Sequence, residues 1–93
     1  MELTFEWDEE KDRSNRSKHG ISFDEAKTVF NDPLSITIVD EAHSEEEDRY
    51  IDIGSSAQGR VIVVSYTVRG PNIRIISCRK ATKSERLTYE QVS

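Results

Sequence analysis

Ninety-three residues, 34% hydrophobic and 33% charged, with 13 Lys/Arg against 18 Asp/Glu for a net charge of −5, make a single small domain over 1–93, because so short a chain has no material for a second core. The one cysteine, Cys78, excludes an intrachain disulfide and a cysteine-based zinc cage. The start MELTFEW has neither the basic n-region nor the apolar run of a signal peptide, and no apolar stretch approaches the roughly 20 residues of a membrane span, so a cytoplasmic protein without membrane contact is expected.

In chain order, residues 2–7 alternate polar and apolar as a short strand. Asp8 then caps a helix that runs to Gly20, and Ser22 with Glu25 forms a capping box for a second helix carrying Phe23, Ala26, Val29 and Phe30 at helical spacing. Asn31-Asp32-Pro33 stops it. Strands are expected at 34–39 and 49–54 around an acidic loop, 40–48, and 55–59 is a turn. Residues 60–69 and 73–79 are rich in Val, Ile and Tyr and read as a hairpin at the centre of the sheet. Pro71 argues against a two-residue primed turn, so a four-residue loop is expected, with Val68 opposite Ile73 and Ile62 opposite Arg79. Thr82 and Glu85 form another capping box, for a last helix that carries Leu87 and Tyr89.

Charge is unevenly distributed along these elements. Residues 49–93 hold eight Lys/Arg and three acids, a balance of +5, whereas the first 48 hold five bases and fifteen acids, a balance of −10. The basic half suits an anion such as a phosphate backbone, and the acidic half a basic partner. In the expected register Arg60 and Arg79 share a face and lie near each other at the end away from the turn. Two guanidiniums without an acidic mate repel, and a phosphate is the ligand that best completes such a site. The alternative is that each Arg reaches water or pairs with one of the eighteen acids. Arg69, Arg74 and Lys80 fall on the opposite face.

Lys18-His19-Gly20 reads as a helix C-cap. The exposed carbonyls there also favour protonated His19, which can donate a proton or hold a phosphate. His43 lies among six acids of the 40–48 loop, but with no fixed spacing on a rigid element, so neither a metal nor another cofactor is expected. Cys78 reads as a buried, inert thiol. The chain lacks a phosphate-cradling Gly-rich loop, G-x-S-x-G and H-E-x-x-H, which leaves metal-independent acid–base chemistry on a phosphate as the enzymatic option.

The runs FEWDEEKDRSNRSKHGISFDEA (5–26), VFNDP, Gly59-Arg60 and RIISCRKATKSERLTYE (74–90), with their W-D-x-x-K, K-H-G-I-S-F and I-I-S-x-R-K-A motifs, resemble the BrnT family of bacterial type II toxins over nearly the whole chain. Cys78 departs from the small or apolar residue more usual at its place in that family. The resemblance implies a RelE-like α/β (α+β) domain, an antiparallel sheet with two N-terminal helices and one C-terminal helix. It implies an endoribonuclease that cuts RNA and inhibits translation, held inactive in a hetero-oligomer with a cognate, DNA-binding antitoxin of BrnA type. Metal-free cleavage proceeds by 2′-OH attack on the adjacent phosphorus and needs a base, an acid and stabilisation of the phosphorane. On this reading Arg79 and Arg60 bind the phosphate and the transition state, and His19 or Lys18 transfers the proton. Arg69, Arg74 and Lys80 track the RNA backbone, while Tyr66 or Tyr89 stacks on a base. Two other classes compete: a non-catalytic interaction module or inactivated toxin homologue, and a metal-dependent phosphoesterase.

Overall fold

The alternating apolar runs of the second half need a two-sided sheet, and the helices of the first half supply one of its covers. The computed structural model describes residues 3–44 and 47–92, so Glu2 of the expected first strand and Glu45–Glu46 of the acidic loop lie outside the described residues. The elements are β1 (Thr4–Glu6), α1 (Glu9–His19), α2 (Phe23–Lys27) continued by a 3-10 turn (Thr28–Asn31), β2 (Ile36–Val39), a second 3-10 turn (Glu41–His43), β3 (Arg49–Ser55), β4 (Val61–Arg69), β5 (Asn72–Lys80) and α3 (Lys83–Val92). The sheet order is β1-β5-β4-β3-β2. Four strands are antiparallel, but β1 pairs parallel with β5, so the sheet is mixed where an antiparallel one was expected. The chain crosses by way of two helices to β2 at the far edge, then steps back through β3 and β4 to β5, which runs in the direction of β1.

Both helix boundaries of α1 follow from local chemistry. Asp8 accepts from the Glu10 N–H at 2.8 Å, and Gly20 closes the helix at φ +71°, its N–H bonded to the Arg16 carbonyl. Ser22 accepts from the Glu25 N–H at 3.1 Å, which is half of a capping box; the Glu25 carboxylate turns away from the backbone toward Arg60 and Ser56. At α3 the box is complete, with Glu85 N–H to Thr82 Oγ1 at 3.1 Å and Thr82 N–H to Glu85 Oε1 at 2.8 Å.

The sheet separates two apolar layers. On one face Ile62, Val64, Tyr66, Ile73, Ile75 and Cys78 pack against Ile21, Phe23, Ala26 and Val29 from the α1–α2 region. On the other, Ile53 and Val63 meet Tyr89 of α3. Two buried polar residues of α1 fasten it to this frame: Asp12 accepts the Phe23 N–H at 2.8 Å, and Asn15 both donates to the Ile21 carbonyl and accepts the Cys78 N–H at 3.1 Å. These bonds use donors and acceptors that burial would otherwise leave unmade.

The β4–β5 register differs from expectation in two ways. Arg69 pairs directly with Asn72, so the loop is only Gly70-Pro71. Gly70 takes φ +56°, and a type II′ turn requires positive φ at its first central position alone, which leaves Pro71 free to occupy the second. Val68 does face Ile73, but a bulge between Ser65 and Tyr66 leaves Ile76 as an extra residue on β5, after which Val63 faces Arg79 and Ile62 faces Lys80.

Gly54 sits where β3 meets the 3-10 turn. A Cβ there would lie 2.9 Å from both Ser35 Cβ and Val29 Cγ1. Gly54→Ala is therefore expected to destabilise the fold by about 1–3 kcal/mol through overpacking, read as a lower urea midpoint at unchanged slope. An unaltered midpoint would show that β3 and the turn are not in contact.

Candidate functional site

The bulge decides which cations gather at the open end of the hairpin. Because a one-residue slip moves every following side chain to the other face, Arg79 and Lys80 exchange the faces expected for them. Arg79 shares its face with Val63 and α3, and Glu85 engages it bidentately at 2.7 and 2.9 Å. Lys80 joins the face of Ile62, toward Arg60. The expected Arg60–Arg79 pair is thus replaced by Arg60 with Lys80. Nor do the guanidiniums lack mates: Arg60 pairs with Glu25, Arg69 with Glu47, Arg74 with Glu6 and Arg79 with Glu85.

An open cleft of about 470 Å³ lies at this end, lined by Gly59, Arg60, Val61, Lys80, Ala81, Arg86 and Glu90. Its floor is the end of β5 and the loop before β4, and one wall is the side of α3 on which Arg86 and Glu90 lie one turn apart. Among the described residues neither Lys80 nor Arg86 has a carboxylate within ion-pair distance. Arg60 is held in place: its Nε donates to Glu25 Oε2 at 2.7 Å, and its Nη2 to Glu25 Oε1 at 2.6 Å and to the Gly20 carbonyl at 3.0 Å. Glu25 itself is 4% exposed in its side chain. The guanidinium bonds hold its carboxyl below the usual carboxylate range against the opposing effect of burial. The Ser56 hydroxyl completes the network with a 2.8 Å bond to Glu25 Oε2. Among the described residues Arg60 Nη1 has no hydrogen-bond partner and Lys80 and Arg86 have no ion pair, so a fixed cation lines the cleft beside two others.

His19 and Lys18 are exposed at the end of α1, and the carbonyl of the next residue, Gly20, is the one that Arg60 holds, which brings this helix end beside the cleft. Arg69 and Arg74 lie toward the turn end of the hairpin; Arg69 is about 24 Å from the Ile62 level at about 3.4 Å per residue. Tyr66 and Tyr89 are buried, with their hydroxyls donated to Asp52 at 2.8 Å and Asp32 at 2.6 Å, so neither presents a ring to a base. Burial and the Asp52 carboxylate raise the Tyr66 phenol, and burial raises Asp52. Among the described residues no three His, Cys, Asp or Glu side chains gather as metal ligands; His43 is paired with Asp40 at 2.9 Å. Nor is any helix among them long and apolar enough to cross a membrane.

Sequence reasoning missed Arg86 as a site residue, although its i, i+4 spacing to Glu90 on a capped helix was a usable signal. It also missed Asp12 and Asn15, which look in sequence like any polar face of a charged helix.

The architecture is thus a small α+β domain of five strands and three helices with a basic recess at one strand end. Residues 7–85 match the family described as "Ribonuclease toxin, BrnT, of type II toxin-antitoxin system", and the chain belongs to that family. It is accordingly a type II ribonuclease toxin by family, a class that acts on RNA and has a cognate antitoxin as partner. The 1.1 Å crystal structure of the Brucella abortus ribonuclease toxin BrnT, 24% identical, is similar in fold with a TM-score of 0.65 over 88% of this chain and 100% of that one. No curated protein matches the chain by sequence.

Two outcomes follow from the electrostatics of this region. The Arg79 guanidinium lowers the Glu85 carboxyl to about 2, below the roughly 4.3 of an unfolded glutamate. The stabilisation it gives is therefore complete above about pH 4.3 and disappears as pH falls through about 2. Acid titration of stability should be steeper for the wild type than for Glu85→Gln across that window, whereas parallel curves would remove the pair from the account. Burial pushes the Cys78 thiol up to about 12, so a thiol reagent at pH 8 should react with it only on unfolding. Rapid labelling of the folded chain would contradict its burial.

Proposed function

We propose that the chain is a metal-independent endoribonuclease whose active site is the cleft between β5, the 59–61 loop and α3. The observation that carries this reading is that Lys80 and Arg86, neither of them ion-paired among the described residues, line one cleft with an Arg60 already fixed by Glu25 and Gly20. Such a group of cations binds a phosphodiester and stabilises the additional negative charge of its phosphorane, without having to reorganise at the moment of reaction.

The reaction is transesterification. The 2′-oxygen loses its proton to a base and attacks the adjacent phosphorus; the bond to the 5′-oxygen breaks, and that oxygen takes a proton as it leaves. The products are a 2′,3′-cyclic phosphate and a free 5′-hydroxyl. His19 or Lys18, at the helix end tied to Arg60, is the proton-transfer group. Arg79 acts as a positioning residue, fixing the first turn of α3 through Glu85 and so the placement of Arg86. Arg69 and Arg74 track the RNA backbone toward the turn end. The broader reading is a RelE-like cytoplasmic toxin that inhibits translation and is held by a DNA-binding antitoxin of BrnA type in a hetero-oligomer; family membership and the mixed α+β fold support it.

A second reading, binding without cleavage, is favoured by the fact that four arginines are already held by carboxylates. Kinetics separate the two. Lys80→Ala and Arg86→Ala should each slow cleavage of a model RNA by roughly 10²-fold, the scale of one lost transition-state donor, while leaving thermal unfolding unchanged. Cleavage by the wild type should also persist in EDTA and leave a cyclic phosphate end. RNA binding without product would favour the non-catalytic reading, and loss of cleavage in EDTA restored by Mg²⁺ would overturn the metal-free mechanism.

A further inference from the structure

The sheet ends at β2, and among the described residues its outer side pairs with no other strand. An open edge presents a row of backbone N–H and C=O groups, and proteins ordinarily blunt it with lysine, proline or a charge within the strand. Ile36-Thr37-Ile38-Val39 has none of these. Its side chains are β-branched throughout, and Ile38 and Val39 are 44% and 53% exposed, as is the preceding Leu34 at 51%. The other edge, β1, has three residues, and its Glu6 is engaged by Arg74 and Asn72. Among the described residues β2 is the edge that combines an unprotected backbone with exposed apolar side chains on both faces of the sheet.

Charge selects what can pair there. The 40–48 segment that follows β2 carries six acids and no Lys or Arg. Among its described residues Asp40 is engaged by His43 and Glu47 by Arg69. A second copy of this chain is a poor occupant, because its own residues 32–48 likewise contain no Lys or Arg with which to meet those acids. A partner strand flanked by basic residues meets both demands: main-chain hydrogen bonds to the edge give affinity, and its cations beside the exposed Glu41 and Asp48 set orientation and raise the association rate.

We propose that β2 is the docking edge for the cognate antitoxin, which adds a strand with basic flanking residues to the sheet and places its cations against the exposed Glu41 and Asp48. This rests on the type II toxin family and not on the nuclease mechanism, since the edge contains none of the cleft residues. It makes inhibition by the antitoxin separable, in part, from direct filling of the cleft.

Hydrogen exchange on the chain co-purified with the antitoxin encoded beside it tests the assignment. The amides of 36–39 that point away from β3 should gain at least tenfold protection over the free chain. Ile38→Lys, which puts a like charge at the edge without touching the cleft, should weaken the complex at least tenfold while RNA cleavage by the free chain is unchanged. A short valine–threonine peptide with lysine at each end should protect the same amides, and its glutamate-flanked twin should not. Unchanged exchange at 36–39 in the complex, or full affinity of Ile38→Lys for the antitoxin, would overturn the proposal. So would protection of those amides in a dimer of the free chain, which would make the edge a self-association surface. Absence of RNA cleavage would count against the nuclease reading alone.

Discussion

The bulge on β5 is the constraint on which the arrangement of the site depends. With Ile76 as the extra residue, Cys78 turns into the layer under α1 and α2, where Asn15 accepts its N–H. Arg79 turns to the opposite layer, where Glu85 receives it as part of the α3 cap. Lys80 turns toward Arg60. In a regular ladder all three would be reversed: the thiol would face α3, Arg79 would stand beside Arg60 and compete for its acid, and Lys80 would have no cleft to enter. A bulge next to a site commonly re-aims side chains in this way.

The two-signed sequence has a similarly local resolution. Three ion pairs, Arg60–Glu25, Arg69–Glu47 and Arg74–Glu6, each join a base of the second half to an acid of the first. Folding therefore cancels much of the apparent charge separation within the molecule. Among the described residues Lys80 and Arg86 are left outside these pairs, in a cleft whose lining contains three bases, Arg60, Lys80 and Arg86, and one acid, Glu90. Toward the turn, Arg69–Glu47 is exposed and Arg74–Glu6 half-buried, and pairs so open to solvent contribute little individually. Arg60–Glu25 differs, because the carboxylate is buried and further bonded to Ser56, and because the same guanidinium holds the Gly20 carbonyl. It ties the end of α1, the start of α2 and the loop before β4 to one point, and so makes the cleft wall rigid.

Much of this fold was legible in sequence where local chemistry is decisive. Asp8, Gly20 and Thr82 with Glu85 act as caps, and the period-2 runs became strands. The mixed sheet was not legible, since the pairing of three residues at β1 is decided by contacts across most of the chain. The bulge was not legible either: Ile75-Ile76-Ser77 reads equally well as regular strand, and only the packing of Cys78 against α1 selects the slipped register. Arg60 and Lys80 were identifiable as cations of the right strand end, but their association follows from the bulge. The aromatic assignments failed for a different reason. Tyr66 and Tyr89 resemble surface stackers by composition, whereas their hydroxyls serve as buried donors to Asp52 and Asp32.

The central claim is that RNA phosphate is held at the β5–α3 cleft, and amide chemical shifts on titration with a short RNA carrying 2′-O-methyl groups, which blocks attack, test it most directly. The account predicts perturbations at Gly59–Val61, Lys80–Ala81, Arg86 and Glu90, extending to Lys18–Gly20, and weakening as salt rises. Perturbations confined to the Arg69–Arg74 end, or to the face shared by Ser77 and Arg79, would contradict it.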